Sequence, residues 1–273
     1  FHTGHQEVIK RLLASKQRCG ARHSVLITFD RHPLSVIAPE RRPRLLTTLD
    51  EKISLLSMTD VDHILVETFD PSLAEIDYRD FVTERLIARL GMRYLVTGYD
   101  FHLGRGREGD QQNLARLGVK LGYGFSVVPP VVVKGRAVSS TRIRANIEKR
   151  KLRRAAKLLT RPYFFDARVV RGRGVGKGLG YPTANVSLPA GDKLVPPPGV
   201  YAVRARVDGE MLSGMMNVGE APTIRRDGPK SMEVHLFDFE GELYGRQIRV
   251  YCHEWLREER TFDWRINELI ELL

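Results

Sequence analysis

Apolar positions in the first 160 residues switch repeatedly between a helical and an extended period. Val8, Ile9, Leu12 and Leu13 recur at helical spacing, and Ser24-Val25-Leu26-Ile27-Thr28-Phe29 is a short apolar run that reads as a buried strand. Residues 48–58 carry Ile53, Leu55 and Leu56 as the apolar positions of a helix, and His63-Ile64-Leu65-Val66 predicts a strand. A strongly amphipathic helix is expected over 78–90 through Phe81, Val82, Leu86, Ile87 and Leu90. Strands at Tyr94-Leu95-Val96-Thr97 and Phe125-Ser126-Val127-Val128 flank a helix over 110–121, and residues 140–159 read as helices with Ser139 or Ser140 as the N-cap. Short apolar strands separated by helices predict a parallel sheet covered on both faces, with ligands at the carboxyl ends of its strands.

Near residue 160 the pattern changes to short strands punctuated by Gly and Pro. Strands are expected over 163–171, 200–208, 211–217, 231–238 and 247–254, with turns at Asp208-Gly209 and Glu240-Gly241. That density of strands and turns predicts a small antiparallel β-barrel, and a helix carrying Trp264, Ile266, Leu269, Ile270 and Leu273 ends the chain. The fold class is therefore α/β plus β, a doubly wound domain over 1–159 and a small barrel domain over 160–273, meeting at Thr160-Arg161-Pro162.

Composition narrows the function classes. In 273 residues no run approaches the ~18 apolar residues of a membrane span. Cys19 and Cys252 are the two cysteines, which excludes a disulfide framework and fits a reducing compartment such as the cytoplasm. No signal-peptide pattern opens the chain. Lys plus Arg exceeds Asp plus Glu by 44 to 33, a net charge of +11, which points to phosphate-rich partners, nucleotides or nucleic acid. The run Glu148-Lys149-Arg150-Lys151-Leu152-Arg153-Arg154 fits a phosphate backbone or a solvated helix face.

Four segments carry candidate chemistry. His2-Thr3-Gly4-His5 sets two imidazoles at a helix N-terminus, where anions are favoured and a phosphoryl group under attack gains charge stabilisation; the bland alternative is a pair of surface histidines on a frayed end. In Val138-Ser139-Ser140-Thr141-Arg142-Ile143-Arg144, hydroxyls open a helix and arginines follow in its first turn; they converge on triphosphate oxygens, or serve only as an N-cap followed by solvated arginines. Gly104, Gly106 and Gly109 match G-x-G-x-x-G formally, but the preceding strand ends too early for a dinucleotide fingerprint, leaving a glycine-rich substrate loop. The basic, glycine-rich stretch 171–180, with Gly178 and Gly180, is not a P-loop, because Gly178 follows Lys177; it suits phosphate wrapping by backbone N–H groups. Thr183 and Asn185 alternate along the extended segment that follows, so both side chains face one way and suit Mg²⁺ beside nucleotide phosphates.

Together these segments resemble the bacterial-type bifunctional riboflavin kinase/FMN adenylyltransferases over essentially the whole chain. The resemblance rests on His2-Thr3-Gly4-His5, Thr28-Phe29-Asp30-Arg31-His32-Pro33, Gly98-Tyr99-Asp100-Phe101-His102-Leu103-Gly104 and Ser139-Ser140-Thr141-Arg142-Ile143-Arg144 in the first half. In the second it rests on Gly178-Leu179-Gly180-Tyr181-Pro182-Thr183-Ala184-Asn185, Gly199-Val200-Tyr201-Ala202, Asn217-Val218-Gly219-Glu220-Ala221-Pro222-Thr223, Glu233-Val234-His235 and Leu243-Tyr244-Gly245. It implies a C-terminal barrel that moves the γ-phosphoryl of ATP to the ribityl hydroxyl of riboflavin, giving FMN. It also implies an N-terminal nucleotidyltransferase domain that moves AMP from ATP to FMN, giving FAD and pyrophosphate. His2 and His5 would then contact ATP phosphates, with Ser140, Thr141 and Arg142 completing that site. Asp100 and Phe101 would line the flavin or nucleotide pocket, Thr183 and Asn185 would hold Mg²⁺ and phosphate, and Glu233 would be the general base.

The chain departs from the family pattern at Arg31, where proline is usual, and at Leu103, where phenylalanine is usual; both bear on flavin affinity. The family pattern also places a strand and a Gly-x-Phe-Asp-Gly turn before the histidine motif, and the sequence here starts at Phe1. The expectation is that residues 1–273 make FMN readily and FAD poorly. Two competing readings are a kinase whose first domain does not adenylylate, and a basic nucleic-acid-binding protein on a nucleotidyltransferase-like scaffold, supported only by the run 148–154.

Overall fold

The computed structural model describes residues 1–171, 184–188, 191–219 and 231–258. The chain forms two compact units, an α/β unit and a β-barrel, and their sequences interleave. The first takes Phe1–Ala145, then Arg154–Arg161, and from later in the chain the described residues 191–194. Asn146–Arg153 and the remaining described residues belong to the second.

In the α/β unit, helix α1 (Thr3–Arg18) leads into β1 (Val25–Phe29), and the short α2 (Leu34–Ile37) and α3 (Leu49–Leu56) lead into β2 (His63–Glu67). After α4 (Pro71–Ala74) and α5 (Tyr78–Asp80) comes a π-helical stretch over Phe81–Arg89, then β3 (Tyr94–Gly98), α6 (Gln111–Leu121) and β4 (Gly124–Val128). A small hairpin of β5 (Val132–Val133) and β6 (Arg136–Ala137) precedes α7 (Ser140–Glu148) and α8 (Leu152–Leu159).

The parallel strands come as two separate pairs. β1 runs beside β2 from Val25 opposite His63 to Phe29 opposite Glu67, and β3 beside β4 from Tyr94 opposite Gly124 to Gly98 opposite Val128. Among the described residues no ladder joins one pair to the other. The run 24–29 is accordingly only half-buried along Val25–Phe29, where a fully buried strand is the sequence expectation. The core lies instead where Phe69, Tyr78, Phe81, Val82, Leu86 and Leu114 pack together. The π winding of Phe81–Arg89 differs from the 3.6 period, and Leu90, on the core face by that period, is exposed.

The second unit is a closed antiparallel barrel of six strands in the order β10-β11-β8-β7-β12-β9. These are β7 (Tyr163–Val170), β8 (Ala184–Ser187), β9 (Gly199–Val207), β10 (Glu210–Gly219), β11 (Ser231–Leu236) and β12 (Gln247–Arg257). Closure leaves no open edge. Alternation sends Phe165, Tyr201, Met216 and Val250 into a buried interior. The β9–β10 turn has positive φ at both Asp208 and Gly209, the backbone that tight hairpins need. The expected alternation over 231–238 ends at Leu236, because Asp238 takes a φ of 54° and leaves the strand. The expected helix over Trp264–Leu273 lies outside the described residues. Two arginines of the basic run are held within this unit: Arg150 pairs with Glu258 and lies over the Trp255 ring, and Arg153 pairs with Glu254.

Candidate functional sites

In the α/β unit the chemistry gathers at the carboxyl end of β1. The Asp30 N–H donates to the Glu67 carbonyl at 3.0 Å, tying this end to that of β2. The Asp30 carboxylate accepts the Phe69 N–H at 2.9 Å and pairs with Arg31 at 3.1 Å. Desolvation opposes its ionisation, but the Phe69 N–H and Arg31 outweigh it and hold the pKa below the usual range. His32 Nδ1 accepts the Leu34 N–H at 3.1 Å. Its pKa is lowered by desolvation first, then by the positive charges of Arg144 and Lys52.

His2 and His5 do not fray. His2 Nδ1 accepts the Gly4 N–H at 3.1 Å, and His5 Nδ1 accepts the His2 N–H at 3.2 Å, a reciprocal cap built of imidazoles. The ring centroids lie 4.0 Å apart. Accepting at Nδ1 fixes each neutral ring in the tautomer that carries its proton on Nε2, leaving an Nε2–H on each as a donor. Buried His2 has its pKa lowered to about 4, by desolvation first and by nearby positive charge, Arg161 included. His5 keeps solvent contact, yet its pKa is also lowered by the surrounding mass of the domain and by charges that include Lys52.

The other expected residues of this unit stand on two further elements. Asp100 and Phe101 are exposed on the loop after β3, where the Phe101 N–H donates to the Gly98 carbonyl at 3.2 Å. This loop folds back through a bridge between Leu103 and Gly109. Gly104 makes the fold possible: its φ is 76°, and a Cβ there would lie 2.5 Å from the Tyr78 nitrogen. At the start of α7, Ser139 Oγ accepts the Arg142 N–H at 3.2 Å, which decides between the two candidate caps. Ser140 is half-buried and Thr141 exposed. The Arg142 guanidinium donates to the carbonyls of Arg136 at 2.7 Å and Val133 at 3.0 Å, fastening the β5–β6 hairpin to the helix.

Sequence reasoning missed Lys52, while Arg144, already part of the motif that opens α7, lies close enough for its charge to lower the His32 pKa. Lys52 looks like one more charge on an amphipathic helix, yet its Nζ reaches the Phe29 carbonyl at 2.6 Å and Thr28 Oγ1 at 3.1 Å. Only the distance from Lys52 to the end of β1 reveals it, and no local pattern encodes that distance.

In the barrel, Glu233 on β11 stands directly opposite Asn185 on β8, and on its other side opposite Asn217 on β10. All three are half-buried, while the alternate residues Val186, Met216, Val218, Met232 and Val234 fill the interior. The three polar side chains therefore form one row on the outer face, with neighbouring Cβ atoms about 5 Å apart. Further along the same face of β11, the His235 ring meets Phe237 edge-on at 5.5 Å. Gly178, Gly180 and Thr183 lie outside the described residues.

The α/β unit and the closed barrel correspond to the two halves of a nucleotide-handling transferase. The FAD synthetase family model matches residues 1–142, and the riboflavin kinase model matches residues 159–273. The chain is 36% identical to the bifunctional riboflavin kinase/FMN adenylyltransferase of Pseudomonas fluorescens over 261 residues, 96% of this chain and 83% of that protein. It is 34% identical to the protein of the same name from Bacillus subtilis over 274 residues, 99% of this chain and 85% of that one. A crystal structure described as a macrolide-efflux protein from Streptococcus pneumoniae superposes with a TM-score of 0.87 at 27% identity, covering 99% of this chain and 87% of that one. Among the described residues here, no helix is long and apolar enough to cross a membrane. The chain belongs to the bifunctional riboflavin kinase/FMN adenylyltransferase family, with a FAD synthetase half and a riboflavin kinase half.

Proposed function

We propose that this chain phosphorylates riboflavin with ATP in its barrel and adenylylates FMN with a second ATP in its α/β unit, using the residues assigned here. The observation that carries the kinase assignment is the placement of Glu233 between Asn185 and Asn217 on one outer face. In the barrel, Glu233 accepts the proton of the ribityl hydroxyl as its oxygen bonds to the γ-phosphorus of ATP and the bond to ADP breaks. Positioning and charge neutralisation dominate such a transfer. The Asn185 amide oxygen is a hard oxygen donor beside Glu233, and with the Thr183 hydroxyl it fits Mg²⁺, which leaves the Glu233 carboxylate as the base. When bound, Mg²⁺ neutralises phosphate charge.

In the α/β unit, a phosphate oxygen of FMN bonds to the α-phosphorus of ATP and pyrophosphate leaves. His2 and His5 donate their Nε2–H groups to ATP phosphates as neutral rings, with Ser140, Thr141 and Arg142 serving the same phosphates from the start of α7. Asp100 and Phe101 offer an exposed carboxylate and aromatic face to the flavin. The cytoplasm, where thiols such as Cys19 and Cys252 stay reduced, is the compartment this reading assigns. The test is incubation with riboflavin, ATP and Mg²⁺ followed by separation of FMN from FAD. Both products are expected; FMN alone would remove the adenylyl-transfer half of the proposal, and neither product would remove both.

A further inference from the structure

Two consecutive residues of α3 point in different directions. Glu51 is fully buried: its Oε2 accepts the Thr48 N–H at 2.9 Å and takes the ammonium of buried Lys193, which also donates to the Leu46 carbonyl at 2.9 Å. The backbone of the same segment locks alongside, with the Leu45 N–H on the Asp192 carbonyl at 2.6 Å and the Leu194 N–H on the Leu45 carbonyl at 2.8 Å. With 3.6 residues per turn, fixing Glu51 inward aims Lys52 about 100° away, across the end of β1. There its Nζ donates to the Phe29 carbonyl at 2.6 Å and to Thr28 Oγ1 at 3.1 Å.

An ammonium has three donors, and the third has no partner among the described residues. The side chain is half-buried at the carboxyl end of a parallel strand, where ligands of such sheets bind. The nearby acid, Asp30, is already engaged by the Phe69 N–H and Arg31. His5 and His32, whose rings feel the Lys52 charge, hold no negative charge to neutralise it. A half-buried cation with a spare donor and only neutral rings and engaged carboxylate around it suits an incoming anion.

We propose that Lys52 is a phosphate-binding residue of the adenylyl-transfer half, giving its third N–H to a phosphoryl oxygen of the reacting nucleotides. This rests on the reading of that half as an FMN adenylyltransferase. Glu51 and Lys193 act through it as positioning residues, so that a short segment drawn from between two barrel strands in sequence sets the cation of the other activity.

The test uses the full chain with Lys52→Met and Lys52→Arg. FAD formed from supplied FMN, the KM values for ATP and FMN, pyrophosphate binding by calorimetry, riboflavin phosphorylation and the melting temperature are measured for each. Lys52→Met is expected to lower kcat/KM for adenylylation by about 10²-fold and to weaken pyrophosphate binding by more than tenfold. Lys52→Arg should recover part of both, and FMN production should match the wild type in each. A raised KM for ATP assigns the oxygen to ATP, and a raised KM for FMN assigns it to the flavin phosphate. Wild-type pyrophosphate affinity in Lys52→Met overturns the proposal, and so does a loss of adenylylation explained by a lowered melting temperature alone. If the wild type makes no FAD, the adenylyltransferase reading fails by itself, and pyrophosphate binding still decides the role of Lys52.

Discussion

Glu233 and Asn185 face each other across the β11–β8 ladder, each on the outer side of strands whose alternate residues line the barrel core. Because Val234 and Val186 are buried on those two strands, neither side chain can turn inward without reversing its strand. The carboxylate and the amide are therefore held together by the packing of their neighbours, a rigid support of the kind a phosphoryl-transfer site needs.

Glu233→Gln keeps the shape and removes the carboxylate proposed as the base. Riboflavin phosphorylation is expected to fall by about 10²–10⁴-fold with little change in ATP affinity. Single-turnover FMN formation and ATP titration separate the two quantities, and near-normal FMN production would take Glu233 out of the mechanism.

Asn185→Ala removes an oxygen beside Glu233. The kinase is expected to weaken and its Mg²⁺ requirement to rise, read as a shift of the half-saturating Mg²⁺ concentration in the FMN assay. A wild-type metal dependence would make Asn185 a structural residue of the ladder.

Lys193→Met leaves the Glu51 carboxylate buried without its ammonium. The α/β unit is expected to lose about 3–5 kcal/mol, measured by urea denaturation. The double change Glu51→Leu with Lys193→Met should recover most of that loss, since two apolar side chains replace the pair. Equal stability of wild type and Lys193→Met would show that the pair carries no stability.

The imidazole cap predicts a pH dependence. The folded-state pKa of His2, about 4, lies below the ordinary histidine value of 6.5, so the unfolded chain binds the proton more readily. The contribution of His2 is present above about pH 6.5 and drains away as pH falls toward 4. Asn accepts the same N–H without titrating. Between pH 7.5 and 4 the urea midpoint of wild type should therefore drop more than that of His2→Asn. Parallel curves would mean that His2 protonates in the folded state as easily as in the unfolded one.

The sequence by itself determined what depends on neighbours a few residues apart. Helical spacing at Val8, Ile9 and Leu12 marked α1, and alternation over Glu233, Val234, His235 and Leu236 marked two faces of β11, of which burial shows Val234 and Leu236 to be the inner. Local geometry controls both, because a side chain's direction follows from the period of its own element. That period puts Glu233 and His235 on one face of the strand and leaves open what stands beside them. Tertiary structure alone decided that the neighbour is Asn185 on one side and Asn217 on the other, since register between distant strands is set by how the barrel closes. It also decided that Lys52 reaches the end of β1 while Glu51 turns to Lys193, residues far apart in the chain. Charges on one helix carry the same local signal whether they face water or a site. Only the packing of α3 against β1 and residues 192–194 separates the buried Glu51 from the donor at Lys52.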